Sequence, residues 1–171
     1  MKLRCKQMDR IGFGGSCHWC TEAIFQSLKG VAEVQQGWIA SEGSASKFSE
    51  AVIVNYQPEK ISLELLVAVH LHTHSCTANH SMRGKYRSAV YTFNEEQEHI
   101  TRQAIINLQP NFDEPIITQV LPFKEFSVNS AEYLNYYYSN PDKPFCANIV
   151  SAKLKELTRR FPHQVNTDLL Q

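Results

Sequence analysis

Runs of β-prone residues alternate with runs of helical spacing in an order that restricts the folds open to this chain. The β-prone runs cover residues 8–13, 31–39, 51–56 and 87–93, and the first helical runs cover 17–30 and 62–70. The order β-α-β-β-α-β is that of a split β-α-β arrangement, in which helices pack on a mainly antiparallel sheet. We therefore predict an α+β fold with a ferredoxin-like core and a mixed, mainly antiparallel sheet.

Peripheral elements follow this core. Residues 94–108 are predicted to form a helix capped by Asn94, residues 115–121 a strand, and the stretches from Ser130 and from Ala147 further helices. Ser62 has the character of a cap for the second helix of the core. Residues 162–171 are expected to form a flexible tail.

The length of 171 residues matches one domain that can bury a core without disulfide bonds. No internal repeat, low-complexity tract or Gly/Ser linker divides the chain, so we predict a single domain over residues 1–171. Apolar residues make up 43% and charged residues 20%, which excludes collagen-like, coiled-coil and wholly disordered chains.

Charge and hydropathy narrow the expected partners and location. Seventeen Lys and Arg residues balance seventeen Asp and Glu residues, and no basic block is present, so we expect no nucleic-acid partner. No segment approaches the roughly 18 apolar residues of a membrane span, and residues 1–10 lack the apolar run of a signal peptide. We therefore expect a cytoplasmic protein that does not bind membranes.

The motif Cys17-His18-Trp19-Cys20 is the sharpest local feature of the sequence. It follows a predicted strand and the pair Gly14-Gly15, and it opens a predicted helix. Free backbone N–H groups and the helix dipole favour the thiolate form of a cysteine at this place. Cys17 is therefore a candidate nucleophile.

Other interpretations of this cysteine pair stay open from the residues alone. Cys17 and Cys20 have the spacing of a thiol–disulfide exchange centre and of half a zinc site, and both can also be small buried side chains. Zinc is disfavoured because the later metal-ligating residues lack a second Cys-x-x-Cys pair, and we expect most of the histidines among them at the surface or in loops. Those residues are His70, His72, His74, Cys76 and His80.

Four segments resemble a known enzyme family in order and approximate spacing. The segment Gly14-Gly15-Ser16-Cys17-His18-Trp19-Cys20-Thr21-Glu22 resembles the family's Gly-Cys-Phe-Trp before Glu, and Ser49-Glu50-Ala51-Val52 resembles its Ala-Glu-Val strand. The segment Lys85-Tyr86-Arg87-Ser88-Ala89 resembles its Gln-Tyr-Arg-Ser-Ala, and Asn140-Pro141 with Phe145-Cys146 and Lys153 resembles its Asn-Pro, Tyr-Cys and C-terminal Lys. The family is that of the A-type peptide methionine sulfoxide reductases (MsrA), and the resemblance covers about residues 11–161.

The resemblance implies the activity of a peptide-methionine (S)-S-oxide reductase, which returns methionine S-sulfoxide, peptide-bound or free, to methionine. Cys17 would attack the sulfoxide sulfur, Glu50 would protonate the departing oxygen, and Tyr86 would help to hold that oxygen. Trp19, with His18 beside it, would line the pocket for the substrate methyl group. A carboxyl that is partly desolvated beside aromatic rings can keep the proton that it has to donate.

The resemblance also implies how the enzyme returns to its reduced state. The sulfenic acid on Cys17 would condense with a second thiol, whose usual position in the family matches Cys146. Cys20 is the alternative, because it lies three residues along the same helix. The expected partners are oxidised proteins or free methionine sulfoxide and, as reductant, thioredoxin or a similar dithiol, and no bound cofactor or metal is expected.

Departures from the family pattern leave one further alternative open. His18 replaces the family's Phe beside the nucleophile, so a titratable ring stands in place of an apolar wall. The loop between Trp38 and Glu50 is shorter than is common and lacks a tyrosine that would be a second donor to the sulfoxide oxygen. The alternative is an MsrA-like module that binds oxidised methionine with weak or no turnover.

Overall fold

The computed structural model describes residues 7–140 and 142–170, apart from the side chains of Cys146 and Leu170. The strands are β1 (Asp9–Gly14), β2 (Val31–Ala40), β3 (Ser49–Tyr56), β4 (Ala89–Thr92), β5 (Gln119–Pro122) and β6 (Glu125–Val128). The helices are α1 (His18–Gln26), α2 (Leu63–Thr73), α3 (Glu95–Leu108), α4 (Tyr136–Ser139) and α5 (Ser151–Arg160). None of these helices is both long and apolar enough to span a membrane.

Within the described residues, six strands form one sheet in the order β5-β4-β1-β3-β2-β6. Neighbouring strands are antiparallel except β4 and β5, which are parallel. The inner order β4-β1-β3-β2, with α1 connecting β1 to β2 and α2 connecting β3 to β4, is a split β-α-β arrangement. The predicted α+β fold with a mixed, mainly antiparallel sheet is confirmed.

The main core lies between the sheet and the helices that pack on it. Phe13 of β1 stacks on Phe25 of α1 with ring centroids 4.6 Å apart. Because side chains alternate along a strand, neighbouring positions of β3 face opposite ways: Val52 belongs to the main core, and Ala51 to a smaller cluster with Tyr91 on the other face. This alternation places the helices on one face of the inner strands.

Side-chain caps encoded in the sequence set the starts of two helices. Ser62 accepts a hydrogen bond from the backbone N–H of Leu65 at 3.1 Å, at the start of α2. Asn94 accepts one from the backbone N–H of Gln97, and the Gln97 side chain accepts one from Phe93. Both predicted caps are confirmed.

Three short elements near the C-terminus differ from the prediction. The helix predicted from Ser130 forms only as a 3-10 turn, Ala131–Tyr133, and the single α-helical turn of α4, and β6 before it was not predicted. The stretch from Ala147 begins within a π-helical segment, Cys146–Val150, and becomes α-helical only in α5. β6 forms because it pairs with the end of β2, a long-range contact that the local sequence does not encode.

The C-terminal segment also differs from the flexible tail expected over residues 162–171. The backbone N–H of Lys29 donates to Gln164 O at 2.8 Å, and that of Asn166 donates to Ser27 O at 2.6 Å. Val165 is 1% exposed and packs in the main core. The prediction of a flexible tail is wrong for this stretch. Burial of the Val165 side chain and the two backbone hydrogen bonds hold the segment against the core.

Candidate active site

The predicted site residues of the first half of the chain meet where α1 begins beside the start of β3. β1 leads through a glycine pair into α1, with Cys17 as N-cap and His18 as first helical residue. Glu50 is the second residue of β3 and pairs across the sheet with Trp38 of β2. The His18 Nε2 atom lies 3.4 Å from Glu50 Oε1, so the helix start and the strand start share one site.

The turn into α1 requires glycine at position 15. Gly15 has a φ of +148°, and a Cβ atom there would lie 2.5 Å from the ring of His74. The neighbouring ring of His70 is 2% exposed, and its Nε2 atom bonds to Gly14 O at 2.8 Å. The expected surface position is therefore wrong for His70, which packs beneath the turn that carries Cys17.

Cys17 is half-buried, and its surroundings favour the thiolate. The Cys20 thiol and the backbone N–H groups of Trp19 and Cys20 lower the pKa of Cys17, whereas desolvation and the charge of Glu50 raise it. The net shift of this pKa is downward. A helix N-terminus that supplies such donors is the environment in which a cysteine becomes a nucleophile.

Glu50 is a buried carboxyl that favours its acid form. Burial raises the pKa of Glu50, and this outweighs the charge of Lys85 and the backbone N–H of His18, which lower it. Glu50 Oε2 is buried and has no hydrogen-bond partner among the described residues. A neutral carboxyl with one unpaired oxygen can donate a proton to a molecule bound in the site.

His18 is 3% exposed, and both of its ring nitrogens are engaged. Nδ1 lies 3.2 Å from Gly37 O, and Nε2 lies 3.3 Å from the side-chain nitrogen of Asn129. Burial lowers the pKa of His18, which outweighs the hydrogen bond to Gly37, and the charge of Lys85 lowers it further. These effects favour the neutral ring, although the 3.4 Å distance between Nε2 and Glu50 Oε1 would also suit an ion pair.

Trp19 belongs to an aromatic cluster of which only Trp19 was predicted as a site residue. Tyr136 stacks on Trp19 with ring centroids 4.0 Å apart, and Tyr133 and Phe145 lie at 6.0 and 5.7 Å. The only sign of this cluster in the sequence is the high density of tyrosines over residues 133–138. The run is too short to establish a helical or strand period, so the sequence does not indicate which of these tyrosines face Trp19.

Glu22 fixes the backbone that carries this cluster. It lies one turn after Trp19 on α1 and is 1% exposed. Its Oε2 accepts a hydrogen bond from the backbone N–H of Asn135 at 3.0 Å, and its Oε1 accepts one from Tyr136 at 3.1 Å. Burial raises the pKa of Glu22, and these two hydrogen bonds lower it. Glu22 thus ties Tyr136 to the helix that carries Trp19.

Tyr86 and Lys85 lie beside the start of β3. Lys85 O accepts hydrogen bonds from the backbone N–H of Glu50 at 2.9 Å and from the hydroxyl of Ser49 at 2.8 Å. The Lys85 ammonium lies 5.3 Å from the ring centroid of the half-buried Tyr86. A hydrogen bond to Tyr86, followed by the charges of Tyr86, Glu50 and Cys17, raises the pKa of Lys85. The structure therefore places the predicted Tyr86 at the border of the site.

The remaining cysteines differ in their relation to Cys17. Cys20 is 2% exposed and lies one turn along α1, where its thiol donates to Cys17. Burial raises the pKa of Cys76 to about 11, which disfavours its thiolate. The side chain of Cys146, the predicted resolving residue, lies outside the described residues, but the ring of the preceding Phe145 contacts the aromatic cluster.

The zinc interpretation of Cys17 and Cys20 finds no support in the described parts of the chain. No three His, Cys, Asp or Glu side chains there are grouped as metal ligands. The imidazole of His18, the residue after Cys17, has contacts of its two nitrogens with Gly37 and Asn129.

A cysteine that favours its thiolate, a buried carboxyl that favours its acid form and an aromatic wall define the class of thiol-dependent oxidoreductases, here on a split β-α-β fold. A family model described as "Peptide methionine sulfoxide reductase" matches residues 9–165. The chain is 31% identical to the peptide methionine sulfoxide reductase MsrA of Trichodesmium erythraeum, over 93% of this chain and 99% of that protein. It is 32% identical to that of Deinococcus radiodurans, over 87% of this chain and 80% of that protein. The chain belongs to the peptide methionine sulfoxide reductase family and reduces methionine sulfoxide with thiols.

Solved structures share the fold. Mxr1 from Saccharomyces cerevisiae in reduced form has a TM-score of 0.74 at 20% identity, with 85% of this chain and 92% of that chain covered. Methionine sulfoxide reductase A of Corynebacterium diphtheriae has a TM-score of 0.69 at 22% identity, with 78% and 76% covered. Mxr1 in complex with Trx2 has a TM-score of 0.61 at 21% identity, with 80% and 89% covered.

Proposed function

We propose that this chain reduces the S-epimer of methionine sulfoxide with Cys17 as nucleophile and Glu50 as proton donor. The observation that carries the proposal is the opposite protonation preference of two side chains in one site. Hydrogen bonds lower the pKa of Cys17, whereas burial raises that of Glu50. The two shifts act in opposite directions and favour a thiolate beside a neutral carboxyl, which is the state that sulfoxide reduction requires.

The chemical step moves two electrons from the cysteine sulfur to the substrate. The Cys17 thiolate attacks the sulfoxide sulfur while Glu50 gives its proton to the sulfoxide oxygen, through the Oε2 atom that has no partner among the described residues. The attack joins the two sulfur atoms. This bond and the bond between substrate sulfur and oxygen then break, and a sulfur–oxygen bond forms on Cys17. Methionine leaves, Cys17 becomes a sulfenic acid, and Glu50 is left as a carboxylate. The hydroxyl of Tyr86 would support the same oxygen.

The aromatic cluster supports a pocket for the apolar end of the substrate. Trp19 and Tyr136 stack at 4.0 Å, and the Glu22 carboxylate fixes the backbone of Tyr136. A methyl group or methylene chain placed against these rings would lose contact with water, which stabilises the complex. His18 is polar, so it reduces the apolar surface of this pocket. We therefore expect Trp19 to make most of the apolar contact with the substrate.

The sulfenic acid is proposed to react with a thiol of this chain, releasing water and forming a disulfide. Cys146 is the first candidate through its motif, and Cys20 is the alternative because its thiol already donates to Cys17. A dithiol then reduces the disulfide by exchange. The structure of Mxr1 in complex with Trx2 supports thioredoxin as that reductant for this chain. The cytoplasmic location expected from the sequence stays a prediction.

The first experiment measures the reduction of peptides that contain one methionine sulfoxide of known configuration, with dithiothreitol as reductant. The native chain is expected to reduce only the S-epimer. Cys17→Ser should abolish turnover, and Glu50→Gln should lower kcat by about 10²–10⁴-fold, as loss of a proton donor does. A folded, reduced native chain that binds the S-epimer without releasing methionine would overturn the proposal in favour of a binding module.

A second experiment identifies the resolving thiol. One equivalent of S-sulfoxide peptide is added without reductant, free thiols are alkylated, and disulfides are mapped by mass spectrometry. The expected product is a disulfide between Cys17 and Cys146, replaced by one between Cys17 and Cys20 in Cys146→Ser. A disulfide between Cys17 and Cys20 in the native chain would assign resolution to Cys20 instead.

A further inference from the structure

Arg83 carries a partly buried guanidinium group that the proposed mechanism does not use. It belongs to a short 3-10 turn, Ser81–Gly84, which begins after His80. The ring of His80 accepts a hydrogen bond from the backbone N–H of Met82 at 3.2 Å and so caps this turn. The backbone N–H of Tyr86 donates to Met82 O at 3.0 Å, which joins the end of the turn to Tyr86.

The guanidinium donates to four backbone carbonyl groups. Nη1 donates to Gly15 O at 2.8 Å and to Tyr86 O at 2.9 Å, and because this atom carries two hydrogens, it bridges the two segments. Nη2 donates to Ser75 O at 2.6 Å, and Nε donates to Ala78 O at 2.9 Å. These bonds use four of the five N–H groups of a planar side chain, so they fix both its place and its orientation.

The carbonyl of Gly15 lies just beyond the part of β1 that the sheet holds. The pairs of β1 with β3 and with β4 both end at Gly14. Gly15 is buried and turns the chain with its φ of +148°. A buried carbonyl beyond the end of a strand needs a donor from elsewhere, and Arg83 provides it. Arg83 therefore holds the turn that leads to Cys17.

The segment around Tyr86 is held from its other side by β3. Lys85 O accepts a hydrogen bond from the backbone N–H of Glu50 at 2.9 Å. We propose that Arg83 is a positioning residue that fixes the turn before Cys17 relative to Tyr86, so that the thiolate and the Tyr86 hydroxyl can act on one sulfoxide group. The inference rests on the proposed roles of Cys17 and Tyr86.

The proposed role is one of geometry, which separates it from an effect on the reactivity of the thiol. The donors that lower the pKa of Cys17 are the Cys20 thiol and the backbone N–H groups of Trp19 and Cys20, which lie on α1 and move with it. The stacked rings of Trp19 and Tyr136 belong to α1 and α4, outside the segments that Arg83 bonds. Loss of Arg83 is therefore expected to change the alignment of Cys17 with Tyr86 and to leave substrate binding near native.

The first test is backbone hydrogen exchange, followed by mass spectrometry without substrate. It compares the native chain with Arg83→Met and with Arg102→Met, an exposed arginine on α3 that serves as control. In Arg83→Met, exchange is expected to become faster over residues 75–88 and also over residues 16–21, where the N–H groups of Cys20 and Thr21 donate to Cys17 O. Native exchange over residues 16–21 in this variant would show that Arg83 orders only its own loop, and would overturn the inference.

The second test measures kcat and KM separately for a peptide that contains methionine S-sulfoxide. Arg83→Met is expected to lower kcat by up to about 10²-fold, as a misplacement of about 1 Å can do, with a nearly native KM. Arg83→Lys keeps the charge but loses the planar fork, so kcat should fall in this milder variant as well. Circular dichroism confirms that each variant is folded. A native kcat in Arg83→Lys would show that a positive charge suffices, and the inference would fail.

A double-mutant cycle connects the effect of Arg83 to the Tyr86 hydroxyl. In Tyr86→Phe the group to be aligned is gone, so adding Arg83→Met should lower kcat by a smaller factor than it does in the native chain. An equal factor in both backgrounds would overturn the inference. Turnover by Cys17→Ser would instead refute the proposed nucleophile, and the exchange measurement does not depend on that result.

Discussion

Glu22 and Glu50 are two buried carboxyls at one site whose oxygens have different partners. Both oxygens of Glu22 accept backbone N–H groups, from Asn135 and Tyr136, whereas Glu50 Oε2 has no partner among the described residues. Burial raises the pKa of both carboxyls, but the two backbone N–H groups oppose this shift at Glu22 and fix a backbone, while Glu50 keeps one oxygen unpaired. The two residues are thus suited to different tasks, holding structure and giving a proton.

Glu22→Gln is expected to weaken the attachment of the aromatic cluster. A glutamine has one carbonyl oxygen, so the N–H of either Asn135 or Tyr136 would face an amide that donates. An unsatisfied buried donor costs about 1–3 kcal/mol, and we expect the free energy of unfolding in urea to fall by that amount. KM for the sulfoxide peptide should rise because Tyr136 no longer fixes Trp19. Glu59→Gln, on an exposed loop, is the control, and native stability together with a native KM would contradict the role of Glu22.

Lys85→Gln is expected to move the upper pH limit of kcat/KM to higher pH. The ammonium lowers the pKa of Glu50, so its removal raises that pKa, and the carboxyl keeps its proton further into the alkaline range. Lys85 is fully exposed, so salt screens its effect and the shift should shrink as ionic strength rises. Lys155→Gln on α5 is the matched control. A shift to lower pH would show that Glu50 does not set this limit.

At the scale of elements, β6 and the end of β2 approach so closely that they define one side of the site. Gly37 of β2 pairs with Val128 of β6, and its carbonyl accepts from His18. A Cβ atom at this position would overlap the carbonyl group of Ser127. Because Gly37 has no side chain, the edge strand β6 can pair with β2. This pairing places Asn129, the residue after β6, beside the ring of His18.

Gly37→Ala is expected to separate β6 from β2. Overpacking of this kind costs typically about 1–3 kcal/mol, which would appear as a lower midpoint of urea unfolding. kcat/KM should fall as well, because the displaced strand carries Asn129 away from His18. Gly84→Ala is the control, since a Cβ atom there meets nothing within 4 Å. If both variants unfold at the native urea concentration, the close approach of the two strands is not needed.

The elements that could be predicted from the sequence are those with a local signal. The caps at Ser62 and Asn94 and the alternation along β3 lie within a few residues, so they identify α2, α3 and the inner strands. β6 has four residues, too few for a period of 2 to emerge, and α4, part of the helix predicted from Ser130, has too few for its bounds to follow from a period of 3.6. They form because of contacts with β2 and with α1, which lie about 100 residues away along the chain.

The same limit applies within the candidate site. Cys17 could be predicted because a Cys-x-x-Cys pair after a glycine turn is a local pattern, and Glu50 and Tyr86 because of the family motif around each. Tyr136 could not, since its place depends on the hydrogen bond between its backbone and Glu22. Nor could the contacts of the His18 ring, whose partners Gly37 and Asn129 lie far from it along the chain.

On the scale of the whole molecule, the chain's C-terminal segment packs against the end of the helix that carries Cys17. Val165 forms an antiparallel bridge with Leu28, and backbone hydrogen bonds flank this bridge on both sides. The N-terminus of α1 is fixed by the turn after β1, and its C-terminal end by this segment. The position of Cys17 relative to Glu50 therefore depends on residues close to the end of the chain.

Val165→Ala is expected to destabilise the whole protein because the side chain fills the main core beside Leu28. Truncation of a buried Leu, Ile or Met to alanine costs about 2–5 kcal/mol, and valine is smaller than these residues. We therefore expect the free energy of unfolding to fall by about 1–3 kcal/mol. Urea unfolding followed by circular dichroism measures this free energy. An unchanged dependence of the free energy on urea concentration would show that the folded state is the same. Leu169→Ala removes a larger but 46% exposed side chain and should change the free energy by no more than about 0.5 kcal/mol. Equal effects of the two substitutions would mean that the segment is not anchored through Val165.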